Sequence, residues 1–351
     1  MERIGKPVKT IIFTHSHIDH RGGSAAFKED QPEVLMHAPV KTPLAYYDRI
    51  NGVLARRTIR QFGYLLDDEE TITQGLGIRE GHAVGDGKRA VLPATTMLTG
   101  EVYSSVIDGV SLSIVSAPGE TDDTVFVWLP EDKVLCCGDN YYACWPNLYA
   151  IRGSQYRDVA VWISSLDKII SYGAEVLLPG HTKPLFGSEC VKEVLKNYRD
   201  AIEYVLFQTL DCIEKGMSLL ECSKVVQLPE KYKDLPYLQE FYGTVCWTVK
   251  GIYSGYLGWF DGNAVRLDPV SDSAWSTELF DLVGNKDKIV ARIRALYDAG
   301  EYQKGLQLCE LLAQAGHPET KLMKQGLTAR GREMTSANGR HYYIASAKEL
   351  V

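Results

Sequence analysis

Residues 14–20 read Thr-His-Ser-His-Ile-Asp-His, so His15, His17, Asp19 and His20 crowd into one short stretch. A lone histidine is more often a packed or solvent-facing residue than a ligand. Three histidines and an aspartate this close together are different, because imidazoles and carboxylates on one loop can converge on cations such as zinc, manganese or iron. Alternation along an extended chain puts His15 and His17 on one side. Asp19 and His20 can then reach a second ion. The partners must come from elsewhere, and three candidates each follow a short apolar run with a glycine beside them. Glu120 follows Ala117-Pro118-Gly119, Asp139 follows Cys136-Cys137-Gly138, and His181 follows Leu177-Leu178-Pro179-Gly180. A water held between two such cations loses a proton near neutral pH, and the metals neutralise charge on an ester, so the chemistry is metal-dependent hydrolysis.

The elements that would carry these residues are legible as short strands. The run Lys9 to Phe13 is β-branched and aromatic and feeds the histidine loop. Val34 to His37, Val110 to Val115, Thr124 to Leu129, Lys133 to Cys137 and Val176 to Leu178 read the same way. Asp158 to Tyr172 is amphipathic at helical spacing, with Val161, Ile163, Leu166 and Ile169 apolar. Residues 41–70 read as helical, and residues 71–98 as a long loop without periodicity. From Val191 onward the pattern is helical, with a long helix over 191–215, a shorter one over 219–226 and a hairpin from Asp287 to Ala315 turned at Ala299-Gly300. The expected boundary lies near residue 190, giving domains 1–190 and 191–351. Aromatics concentrate over residues 235–260, which at helical spacing reads as core or subunit interface.

A net charge of −7 offers no basic face for nucleic acid. No apolar run approaches the ~20 residues of a membrane span. The segment Met1-Glu2-Arg3-Ile4-Gly5-Lys6 lacks a signal-peptide core, and the 8 cysteines do not form a disulfide-scaffold pattern, so reduced thiols and a cytoplasmic location are expected.

The stretch His15 to His20 resembles the metallo-β-lactamase superfamily and, within it, the zinc-dependent alkyl sulfatases. The finer likeness rests on Ala117-Pro118-Gly119-Glu120, on Asn147-Leu148-Tyr149-Ala150-Ile151-Arg152-Gly153 with Arg157-Asp158, on Phe241-Tyr242-Gly243, and on Tyr256-Leu257-Gly258-Trp259-Phe260-Asp261-Gly262-Asn263. It implies an α/β (α+β) fold: a metallo-β-lactamase αββα sandwich, N-terminally truncated here, followed by an all-α dimerisation domain. It also implies two Zn2+ per chain, a homodimer, and hydrolysis of R–O–SO3− to alcohol and sulfate. By the resemblance His15, His17 and Glu120 hold one zinc; Asp19, His20 and His181 hold the other; and Asp139 bridges them where the family more often has glutamate. Asp19 and Asp139 are then the catalytic carboxylates.

Some positions depart from the family. Where alkyl sulfatases generally place a histidine before the matching asparagine, a candidate acid, this chain has Pro146. Asp211 stands where the family tends to have a sulfate-binding arginine, and Arg60 and Phe62 stand where tyrosines are expected. Asn147 and Arg152 remain as anion contacts, with an ion pair to Asp158 as the structural alternative for Arg152. The departures keep other ester substrates open (thioester, phosphoester, lactone), as well as a metal-binding dimerisation protein without turnover.

Overall fold

The computed structural model describes residues 5–71, 73–77 and 89–350. The chain divides into two compact units, Met1–Arg49 with His82–Ala150 and Ser154–Tyr256, and Ile50–Gly81 with Ile151–Gly153 and Leu257–Val351.

In the first unit, β1 (Thr10–Ile12), β2 (Glu33–His37) and β3 (Thr96–Leu98) form a parallel sheet in the order β1-β2-β3. A second sheet runs in chain order through β4 (Val102–Ile107), β5 (Val110–Ser116), β6 (Val125–Leu129), β7 (Val134–Gly138), β8 (Val176–Pro179) and β9 (Leu185–Phe186). It is antiparallel except at β7-β8, where the pairing is parallel. That crossover carries α3 (Val159–Ser171), after the single turn α1 (Ile18–Arg21) and α2 (Asn51–Gln61) earlier in the chain.

The period-two alternation of the strands builds the layers. Leu112 and Ile114 of β5 and Val125 and Val127 of β6 join Leu35 of β2 and Leu98 of β3 in one apolar cluster, so the two sheets pack face to face. Their neighbours Val115 and Phe126, with Leu135 and Cys137 of β7, point the other way, into the larger core made with α3, α4 (Ser188–Glu214) and α7 (Val245–Leu257). The Asp158 carboxylate starts α3 by accepting the Val161 N–H at 3.2 Å. Buried Val159, Trp162, Ile163, Leu166 and Ile169 are its core face. Two short helices, α5 (Leu219–Val225) and α6 (Glu230–Lys233), link α4 to α7.

The second unit holds α2 and the helices α8 (Asp272–Val283), α9 (Lys286–Asp298), α10 (Tyr302–Gln314), α11 (Thr320–Glu333) and α12 (Ala337–Glu349). The hairpin expected over 287–315 is α9 and α10, turned at Gly300 with φ of 74°. Tyr297 ties it to the next helix: its hydroxyl donates to the Leu322 carbonyl at 3.1 Å.

Several expectations change. The helix expected over 41–70 shrinks to α2, because Pro43 and a left-handed Tyr46 (φ 60°) precede it. The long loop expected over 71–98 yields β3 at its end, and its residues 72 and 78–88 lie outside the described residues. Strand β4 was not anticipated. It pairs with β5 through Asp108-Gly109, both at positive φ (51° and 83°), a two-residue hairpin turn whose signal was present in the sequence. Residue 190 falls in the first turns of α4, which packs on α3 inside the first unit. Among the described residues no helix is long and apolar enough to cross a membrane.

Candidate metal centre

Four strand ends deliver the predicted residues to one place in the first unit. His15, His17, Asp19 and His20 sit on the loop after β1 and on α1. Glu120 follows β5, Asp139 follows β7, and His181 follows β8. The ligating atoms of His15, His17, Glu120 and Asp139 all lie within 4.8 Å of one another, as do those of Asp19, His20, Asp139 and His181. Asp139 belongs to both groups.

The spacings suit a cation. Bonds of about 2.0–2.2 Å to tetrahedral zinc imply ligand-to-ligand edges of about 3.3–3.6 Å. In the first group His15 Nε2 is 3.1 Å from His17 Nδ1 and 3.6 Å from Asp139 Oδ2, and His17 Nδ1 is 3.2 Å from Glu120 Oε2. In the second group His20 Nε2 is 3.4 Å from Asp19 and 3.2 Å from Asp139, and His181 Nε2 is 3.2 Å from Asp19 and 3.6 Å from Asp139. His20 Nε2 and Asp139 Oδ1 are also buried without a well-formed hydrogen bond. Nitrogen and carboxylate donors at tetrahedral spacing, with buried atoms left over, fit metal ions.

The glycines beside the ligands have a steric reason. A Cβ on Gly180 would meet Asp139 Oδ1 at 2.5 Å and His20 Cε1 at 2.7 Å. Gly138 has φ of 55°, and a Cβ there would meet the Thr14 side chain at 3.0 Å, so Asp139 leaves its strand in a bend other residues rarely adopt.

The electrostatics separate the histidines. Burial pushes His15 down to about 3, so its imidazole stays neutral. Burial also opposes charging His20, but the Asp139 and Asp19 carboxylates outweigh it and raise His20 to about 10. His181 is raised by Asp19 and Asp139 against the same burial penalty. Asp19 itself, although its side chain is half exposed, is held far below the usual carboxylate range by His181 and His20, against a desolvation penalty. The neighbouring carboxylates thus favour the charged form of both histidines, and a cation would compete with protons for these nitrogens. Asp19 has a side chain 53% exposed, whereas the other six ligand candidates are 21% or less. The cluster therefore opens to solvent at Asp19.

Sequence reasoning gave no role to Tyr142 and Arg157. The Tyr142 hydroxyl donates to Glu120 Oε1 at 2.8 Å, and Arg157 Nη1 lies 3.1 Å from the same oxygen. Burial keeps the Tyr142 phenol far above its ordinary pKa, so it holds its proton. Asn147 is buried beside them: its N–H donates to the Tyr142 hydroxyl at 2.8 Å, and its carbonyl accepts from Arg157 Nη1. Arg152 belongs to the second unit, where its N–H donates to Gln61 and its Nη1 to the Gly153 carbonyl at 3.3 Å. Asp158, the alternative partner for Arg152, pairs with Lys41 at 3.1 Å.

The family models match the two parts of the chain. Residues 2–181 match the metallo-beta-lactamase superfamily, and residues 219–351 match the alkyl sulfatase dimerisation family. A linear primary-alkylsulfatase from Pseudomonas sp. (strain ATCC 19151) is 32% identical over 98% of this chain and 67% of its own length. The alkyl/aryl-sulfatase BDS1 of Saccharomyces cerevisiae is 28% identical over 98% of this chain and 55% of its own. The solved structure of the stereoselective inverting sec-alkylsulfatase Pisa1 from Pseudomonas sp. superposes with a TM-score of 0.86 at 25% identity, covering 99% of this chain and 57% of that one. The chain thus spans between about half and two thirds of the length of these relatives. With both family models, a 32% identical relative that matches 98% of this chain and the cluster between strand ends in agreement, the chain belongs to the metallo-beta-lactamase superfamily, in its alkyl sulfatase branch.

Proposed function

We propose that this chain is a hydrolase of alkyl sulfate esters that works with two zinc ions. The observation that carries the reading is the pair of four-ligand groups sharing Asp139, in a chain similar along nearly its whole length to alkylsulfatases. His15, His17 and Glu120 would hold one ion, Asp19, His20 and His181 the other, and Asp139 both. When bound, the ions supply Lewis acidity toward the ester oxygens and lower the pKa of a water.

The protein's own groups do the rest. Neutral His15 offers its lone pair without first losing a proton. Asp139 fixes the spacing of the two groups. Asp19, at the exposed side of the cluster, is the proposed catalytic carboxylate nearest the incoming ester, and water plus R–O–SO3− becomes alcohol, sulfate and a proton released to solvent. Asn147, which belongs to the same unit as the cluster, is the proposed contact to the sulfate group. The match to a dimerisation family supports a homodimer, which light scattering on the purified chain would test.

The zinc-loaded full chain should release sulfate from medium-chain alkyl sulfates, lose that activity to a chelator and regain it with zinc. A chain that holds two zinc ions but releases no sulfate across such a panel would overturn the substrate and leave the metal assignment standing. Pro146 favours one second reading, an ester whose leaving group needs no acid at that position, such as a thioester. Turnover of thioesters in preference to alkyl sulfates would establish it.

A further inference from the structure

Glu120 has two carboxylate oxygens, and the fold treats them differently. Oε2 faces His17 Nδ1 at 3.2 Å. Oε1 is taken by the Tyr142 hydroxyl at 2.8 Å and by Arg157 Nη1 at 3.1 Å. The contacts close a ring. Asn147 N–H donates to the Tyr142 hydroxyl, and the Asn147 carbonyl accepts from the same Arg157 nitrogen that faces Glu120. Arg157, Glu120 and Asn147 are each at least nine-tenths buried, so water does not compete for these bonds. A cation in the first group also meets a carboxylate whose charge Arg157 already offsets. Asp19 in the second group pairs instead with His20 at 3.4 Å and His181 at 3.2 Å.

We propose that Tyr142 and Arg157 are positioning residues that occupy Glu120 Oε1, so that Glu120 offers a metal one oxygen only. The ring makes the two halves of the centre unequal: the half with Glu120 is less negative and more rigidly set than the half with Asp19. It also ties the Glu120 ligand to the backbone of Asn147, so a disturbance at one is felt at the other. This inference rests on the metal assignment proposed above.

The test uses the full chain, stripped of metal and refilled with cobalt(II) alone. Equivalents bound and the visible spectrum are followed for the native protein, Tyr142→Phe and Arg157→Lys. The native protein should bind two equivalents of different affinity. In Tyr142→Phe, which loses only a hydroxyl, the weaker equivalent should lose affinity by roughly 10–100-fold, with a changed spectrum as Oε1 becomes free to bind. The tighter equivalent should not move. Arg157→Lys keeps the charge but cannot reach both Glu120 and Asn147, and should show a smaller shift of the same equivalent. If Tyr142→Phe does not fold, Arg157→Lys decides by itself. Equal loss of both equivalents, or an unchanged spectrum and affinity in a folded variant, would overturn the proposal. A native chain that takes up no cobalt would instead overturn the metal assignment beneath it.

Discussion

The imidazole of His20 and the carboxylate of Asp139 face each other at 3.2 Å, and through that contact the two ligand groups share an atom, Asp139 Oδ2. Oδ2 is also 3.6 Å from His15 Nε2 and 3.6 Å from His181 Nε2. Replacing it therefore damages both groups at once. Asp139→Asn should bind less than two zinc ions per chain and lose more activity than the ~10–100-fold typical of changes outside the ligand set. Elemental analysis and turnover of an alkyl sulfate check this, and full zinc content with near-native turnover would show that Asp139 is not shared.

Gly180 sets the depth of the same contact. Gly180→Ala inserts a methyl group 2.5 Å from Asp139 Oδ1 and 2.7 Å from His20 Cε1. The ligand pair must spread, so zinc content should fall while the melting temperature of the metal-free protein changes little. A variant that melts far lower but keeps its zinc would place the glycine's role in folding rather than at the centre.

Glu240 is raised above its ordinary pKa by burial, only partly countered by the Val245 N–H it accepts at 2.8 Å. A raised acid is penalised once it ionises. Its unfavourable contribution is absent below the unfolded value of about 4.3 and grows as pH rises through the folded value. Glu240→Gln should therefore stabilise the protein at neutral pH and make no difference near pH 4. Denaturant midpoints at the two pH values test this, and an equal effect at both would refute it.

In the second unit Gly326 lies directly against the Tyr297 ring and hydroxyl. Gly326→Ala overpacks that contact and should cost about 1–3 kcal/mol, read as a lower denaturant midpoint. Zinc content should be untouched, since every ligand lies in the first unit.

The metal cluster was legible because four of its residues crowd into one loop, and because each remote ligand sits at a strand end beside a glycine. Gly180 shows the physical basis of that second cue: there the glycine makes room for the neighbouring ligands. Tyr142 and Arg157 were not legible as partners of Glu120, since only the fold brings them to one oxygen; Arg157 stood out only within a family-like segment that gave it no role. Strand β3 has three residues, too few to show a period, and the polar pair Ser104-Ser105 hid the alternation of β4. The helix over 41–70 was overextended because its polar and apolar spacing continued through Pro43 and Tyr46, where the backbone leaves the helix.

The ligands do not come from one sheet. His15, His17, Asp19 and His20 follow a strand of the three-stranded sheet, whereas Glu120, Asp139 and His181 follow strands of the six-stranded one. Ions held by both sets would act as rivets through the sandwich. A ligand that binds only the native state adds about 2.7 kcal/mol when present at 100 times its dissociation constant. The first unit would therefore gain mechanical cohesion from its cations as well as reactivity, and stripping them would loosen the seam between its sheets before it unravelled either sheet.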